Sequence, residues 1–221
     1  MSDLEPTFLV LTEHGLSTEE LLLTKISGYN LITHFSRKEH RSGGVAIYIQ
    51  EFANTEVEEV NISNQSIELI METALVKIKI KNKTLYLLGI YRSPGGQARL
   101  AVDVLSEILA SFQAEGKVLV LMGDINVDRL TENADNIYLE NELQTFGARR
   151  LPLPATRITN YSQTSIDCIC TNIQEDFIEF TIVEAGIADH IGQTCTVTIE
   201  KDVPFIKETT QKRIFSRKNL D

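Results

Sequence analysis

Asp124 and Asn126 close the segment Lys117 to Asp128, KVLVLMGDINVD, in which an apolar run ends in Gly-Asp-x-Asn. Such a run reads as a buried strand that delivers polar groups at its exit. While the chain stays extended, side chains two residues apart point the same way and can share one ligand. A carboxylate beside an amide suits a phosphate ester. The carboxylate can orient an attacking water or hold a hard cation, and the amide can donate to a phosphoryl oxygen without adding negative charge. Alone, the pattern more often marks a plain turn, because Asp and Asn satisfy backbone groups locally.

Other polar groups stand at strand-like edges along the chain. Glu13 ends the apolar run in FLVLTEHGL, Tyr91 and Arg92 follow LYLLGI in YRSPGG, Asp167 sits in SIDCICTNI, and Asp189 precedes His190 in AGIADHIGQTCTVTI. In this order RSGGVAIYI, YRSP, GDIN, ATR, SID and a terminal DH resemble the endonuclease/exonuclease/phosphatase superfamily, the fold of DNase I and the apurinic endonucleases. Within it the motifs are most similar to the endonuclease domain at the front of non-LTR (LINE-like) retrotransposon polyproteins. The resemblance runs from Phe8 to Ile199.

It implies an α/β fold: a four-layer sandwich of two mainly antiparallel sheets with helices outside, over residues 1–200. Residues 201–221 read as a polar linker, which in such polyproteins leads toward a reverse transcriptase domain. The implied activity is Mg²⁺-dependent phosphodiester hydrolysis, with Mn²⁺ as a substitute, that nicks DNA and leaves a 3′ hydroxyl. The alternatives are a phosphatase of the same superfamily acting on a lipid or inositol phosphate, and a catalytically impaired relic that serves as a DNA-binding or interaction module.

The resemblance also implies roles. Glu13 and Asp189 match acids at or near the metal, and Asp124 the acid that orients or deprotonates the water. Asn126 and Tyr91 match contacts to the scissile phosphate. His190 matches a donor to the phosphate in the transition state, with Asp167 as the carboxylate that pairs with it and favours its charged form. Arg41, Arg92, Thr156, Arg157 and Ser165 are expected along the nucleic acid.

Two departures stand out. In the resembled family a strand carrying an asparagine precedes the glutamate strand, whereas only twelve residues precede Glu13 here. The expected sheet is therefore one strand short, with an exposed edge and weak turnover. Ala188 replaces the small hydroxyl residue usual before the Asp-His pair.

Composition supports one soluble globular domain: 221 residues, 43% hydrophobic and 24% charged. The apolar runs are short and the N-terminus lacks a basic-then-apolar pattern, so no membrane span or signal peptide is expected. Cys168, Cys170 and Cys195 lack CxxC spacing. The first two alternate along one strand and read as small buried hydrophobes, which points to a reduced intracellular setting, nucleus or cytoplasm, and a monomer.

The net charge of −10 opposes a nucleic-acid partner. Local basic loops around Arg37, Lys38 and Arg41, and around Arg149, Arg150 and Arg157, are the candidates to guide DNA to one edge, or are simply solvated charges.

The elements that must position these groups follow from pattern. Ser17 with Glu20 forms a capping box ahead of LLLTKI, and the helix should close before Gly28. GGVAIYIQ and IELIMETALVKIKIKN alternate as strands, with Asn82-Lys83 as the turn into TLYLLGIY. Leu100, Val104, Leu105, Ile108, Leu109 and Phe112 fall at helical spacing over Gln97 to Phe112, with Gly116 ending the element. A second helix is expected over Asn136 to Phe146, closed by Gly147, followed by strands in SIDCICTNI, FIEFTIVEA and TCTVTIE.

Overall fold

Strand and helix patterns along the chain resolve into four stacked layers in a computed structural model that describes residues 5–199 except 81, 96, 115, 116, 185, 187 and 188. The expected linker, Gly116 and Ala188 lie outside the described residues.

The first sheet contains β1 (Phe8–Thr12), β2 (Tyr29–Phe35) and β3 (Val45–Gln50) in the order β1-β3-β2, all antiparallel. Next come β4 (Glu56–Val60), β5 (Glu72–Ile80), β6 (Lys83–Tyr91), β7 (Val118–Asp124) and β8 (Arg149–Arg150). A short hairpin of β9 (Arg157–Ile158) and β10 (Gln163–Thr164) precedes β11 (Asp167–Thr171), and β12 (Ile178–Val183) pairs with β13 (Gly192–Val197). The larger sheet has six strands in the order β4-β5-β6-β7-β11-β8, antiparallel except for the parallel β6–β7 pair.

Helices α1 (Thr18–Leu23), α2 (Ala98–Ser111) and α3 (Ala134–Thr145) cover the outer faces. Three apolar interlayers hold the stack together. Leu21 of α1 packs with Ala46 and Tyr48 of the small sheet. Val45 and Ile47 meet Val76, Leu87 and Val120 between the sheets. Leu88, Ile90, Leu119 and Leu121 meet Leu105, Ile108, Leu109 and Leu143 under α2 and α3. Strands buried on both faces explain why VLVL reads as a continuous apolar run rather than an alternating one. Cys168 and Cys170 are fully buried in the last of these layers, as small hydrophobes.

Local signals account for most boundaries. The capping box is present: Ser17 Oγ accepts from Glu20 N at 3.2 Å and Glu20 Oε2 from Ser17 N at 2.9 Å. Asn133 caps α3 by accepting from Asn136 N at 2.8 Å, so that helix starts before Asn136. Strand β5 starts at Glu72, with Ile67–Met71 forming a turn where the sequence suggests one long strand.

Three strand regions escape the sequence pattern. In β2 a register shift between Leu31 and Thr33 breaks the two-residue period. In β4 the acidic EVEEV is an edge strand whose Glu58 and Glu56 pair with Lys77 and Lys79 of β5, and charges on an edge discourage further pairing. The β9–β10 hairpin is too short to carry a period.

Among the described strands, β1 pairs with β3 alone and β13 with β12 alone, so each keeps an open edge. Among the described residues, no helix is long and apolar enough to cross a membrane.

Candidate active site

Tyr91, Asp124 and Asp167 are successive register partners across β6, β7 and β11, and form one row at one end of the larger sheet. Directly opposed residues on neighbouring strands share a face, with Cβ atoms about 4.5–5.5 Å apart. Gly123 makes the row possible: its φ is +143°, and a Cβ there would lie 1.9 Å from the Ile90 carbonyl oxygen. Only glycine lets β6 and β7 stay paired up to Asp124.

Glu13 enters from the small sheet. It follows β1 directly, with φ +54°, and its N–H donates to the Gly44 carbonyl at 2.9 Å. The Tyr91 hydroxyl donates to its carboxylate. Burial, and then this bond, push the Tyr91 hydroxyl above its ordinary range.

His190 arrives from the residues ahead of β13. An isolated bridge to Arg157 and the Ile191 N–H on the Thr156 carbonyl at 2.6 Å dock it against the β9 region. Its Nδ1 faces both oxygens of Asp167, at 3.0 and 3.2 Å. That hydrogen bond raises the His190 pKa above 6.5 against the opposing effect of burial.

Asp124, Asp167 and His190 thus each offer one ligand atom within 4.8 Å of the others. Asp124 is 3% exposed, and burial, with Asp167 next to it, pushes its carboxyl up to about 7. Two buried carboxylates with Glu13 near by have an excess of negative charge that His190 offsets only in part. That donor set fits a hard divalent cation, which oxygen ligands hold best.

Asn126 sits differently from expectation. The chain does not stay extended: Asn126 has φ +51°, and its N–H donates to Asp124 Oδ1 at 2.8 Å, a turn in which the Asp side chain closes on its own backbone. Its Nδ2 lies 2.6 Å from the Arg92 carbonyl oxygen and 3.1 Å from Asp124 Oδ2, so the amide orients Asp124. The motif is a local turn that holds a buried acid in a polar cluster.

Several residues expected along the nucleic acid face inward. Arg92 is 5% exposed, and its guanidinium donates to the Ile125 carbonyl at 2.6 Å and the Asn126 carbonyl at 2.5 Å, which braces the loop after β7. Thr156 and Ser165 are fully buried. The Thr156 hydroxyl accepts the Asp167 N–H at 3.2 Å, and the Ser165 N–H donates to Asp128 at 2.8 Å. Their polarity serves buried backbone groups, which cannot be left unpaired cheaply.

Arg157 is half-exposed and pairs with Asp189 at 2.8 Å, which holds the Asp189 carboxyl below its usual range. Asp189 is exposed and bound to Arg157, and it is not one of the Asp124–Asp167–His190 donors. Arg41 is exposed. Of the other basic-loop residues, Arg37 is buried against Glu72, while Arg149 and Arg150 donate to the Ile173 and Val127 carbonyls. The sequence shows these as charges in loops; Glu72, Ile173 and Val127, which they contact, each lie more than twenty residues away.

No family model and no curated protein sequence matches the chain. Solved structures do. The endonuclease domain of TRAS1, a telomere-specific non-LTR retrotransposon, superposes with a TM-score of 0.61 at 16% identity, over 80% of this chain and 83% of that one. A humanized D. rerio TDP2 gives 0.62 at 14%, over 88% and 86%. An endonuclease/exonuclease/phosphatase family protein from Leptotrichia buccalis gives 0.52 at 13%, over 82% and 76%. The chain has the DNase I-like fold of the endonuclease/exonuclease/phosphatase proteins.

Proposed function

We propose that this chain is a DNA-nicking phosphodiesterase that works with Mg²⁺, or with Mn²⁺ in its place, and leaves a 3′ hydroxyl. The observation that carries the reading is the convergence of Glu13, Tyr91, Asp124, Asp167 and His190 at one end of the paired sheets. Glu13 would hold the cation, with water filling most of its shell beside the Asp124–Asp167 carboxylates, and the bound ion would offset phosphate charge and polarise the P–O bond.

The protein groups divide the remaining work. Asp124, with its carboxyl near 7, accepts the proton of the attacking water around neutral pH, where a general base is most effective. Asn126 holds that carboxylate through its backbone and side-chain N–H groups. Asp167 accepts a hydrogen bond from the Nδ1–H of His190, which leaves Nε2–H for the ligand and favours the imidazolium that donates to a phosphoryl oxygen. Tyr91 keeps Glu13 in place and can share its hydroxyl with the phosphate.

DNA is the proposed partner, with a reverse transcriptase domain in the parent polyprotein, and the chain acts as a monomer inside the cell. D. rerio TDP2 has been solved with a single-strand DNA product, on the same fold at a TM-score of 0.58 and 14% identity. The superseding alternative, a lipid or inositol phosphatase, would need a basic substrate pocket. Arg92 and Arg157 beside the cluster are both engaged by protein groups instead.

The test is conversion of supercoiled plasmid to nicked circle with Mg²⁺. EDTA should stop it, and Asp124→Ala or His190→Ala should slow it at least about 10²-fold. Equal nicking by all three proteins would overturn the reading.

One observation favours a second reading, an impaired relic that binds DNA without cutting it: the open edge of β1 ends at Glu13. DNA binding without Asp124-dependent nicking would select it.

A further inference from the structure

Glu72 opens β5 and is fully buried, although a carboxylate is expensive to bury without partners. Its partners are complete. Oε1 accepts from Arg37 Nε at 2.5 Å and from Leu69 N at 3.0 Å, and Oε2 accepts from Gly44 N at 2.7 Å. Arg37 uses its other nitrogens on Ser93 Oγ at 2.6 Å and the Arg41 carbonyl at 3.1 Å.

The contacts with Gly44 and Arg37 lead to the candidate active site. Gly44 gives its N–H to Glu72 and its carbonyl to the N–H of Glu13. Tyr91 is the register partner of Glu72 on β6, and the Arg37 guanidinium lies 5.8 Å from the centre of its ring, within cation–π range. Glu13 itself sits at φ +54°, a left-handed conformation that persists only where its surroundings enforce it. Space is tight as well: a Cβ on Gly43 would collide with the Arg37 guanidinium at 2.3 Å.

We infer that Glu72 and Arg37 are positioning residues that set the carboxylate of Glu13 and the hydroxyl of Tyr91, the first through Gly44 and the second through the guanidinium over the ring. The inference rests on the proposed cation role of Glu13. A group that orients a metal ligand from behind typically changes metal affinity by 10- to 100-fold when removed. Burial alone would not require two of the three partners of Glu72 to touch elements of one site. The loop from Arg37 to Gly44 then acts as a strap that ties β1 to β6 across the two sheets.

Two readouts on the full chain test it. The first is Mn²⁺ affinity by electron paramagnetic resonance. Glu72→Gln should weaken binding at least about tenfold, and in a Glu13→Gln background the same change should have almost no further effect. Loss of equal size in both backgrounds, or unchanged affinity in the folded Glu72→Gln protein, would overturn the inference. The second needs no metal: the ¹³Cζ resonance of labelled Tyr91, assigned with Tyr91→Phe. Glu72→Gln should move it toward its position in Glu13→Gln, and an unmoved resonance would also overturn the inference. If wild type binds no Mn²⁺, the cation reading falls by itself and the tyrosine resonance still decides the positioning role. Arg37→Lys keeps the charge but loses the forked contacts. It should shift both readouts in the same direction, and it replaces Glu72→Gln if circular dichroism shows that variant unfolded.

Discussion

Asp124 and His190 are two titrating groups whose environments move their pKa values in ways that can be measured separately. The folded Asp124 carboxyl, near 7 rather than 3.8, binds a proton that the unfolded chain has released. Without a cation, stability therefore falls as pH rises from about 4 to about 7 and stays low above that window. Asp124→Asn should melt higher than wild type in EDTA at about pH 8 and at nearly the same temperature at about pH 4. A lower melting temperature for the variant at the higher pH would contradict the assigned burial cost.

His190 has the opposite sign. Its raised folded pKa gives stability that is fully present below 6.5 and is lost as pH rises through the folded value. Because the Asp167 hydrogen bond is the largest cause, Asp167→Asn should drop the titration midpoint, and burial should then keep it low. A proton NMR titration of the imidazole reads this directly, and an unmoved midpoint would rule out Asp167 as the partner that matters.

At the scale of elements, the parallel β6–β7 pair carries the site and α1 does not. Gly123→Ala drives a Cβ into the Ile90 carbonyl, and neither backbone atom can yield without breaking the ladder that aligns Tyr91 with Asp124. Destabilisation on the order of 3 kcal/mol is expected, together with loss of nicking. Ser17→Ala removes one half of the capping box on the far side of the small sheet, and should cost about 1 kcal/mol without changing Mn²⁺ affinity. Paired denaturant unfolding and metal titration separate the two. Equal effects on metal binding would mean that the strand end and the distant helix are not independent.

For the whole molecule, β1 pairs with β3 alone among the described strands, and the chain carries a net charge of −10. Among the described residues, Glu13 follows a strand paired on one side, and a net negative charge opposes the approach of a phosphate backbone. A version extended with a strand of the kind the family carries ahead of its glutamate should nick about 10² to 10³ faster, the scale of one preorganised donor at a phosphoryl centre. Side-by-side plasmid nicking checks it, with Asp124→Ala in both backgrounds. Comparable Asp124-dependent rates would show that the open edge does not limit the reaction.

The residues at strand ends were legible because their signals are local. Apolar runs stop at Glu13, Tyr91 and Asp124, the Ser17–Glu20 box marks a helix start, and the spacing of Leu100 to Phe112 marks a helix face. The order of short motifs was enough for the fold. What the chain could not show in one dimension is which way each polar group turns. Thr156, Ser165 and Arg92 look like polar surface positions, yet they serve buried backbone groups, and Asp189 looks like a companion of His190 but binds Arg157. Glu72 carries no local signal, and only folding brings it to Arg37 and Gly44. Motif type and period depend on neighbours in sequence, whereas burial, ion pairing and the pKa of Asp124 depend on groups brought together from distant strands. The tertiary structure alone decides those.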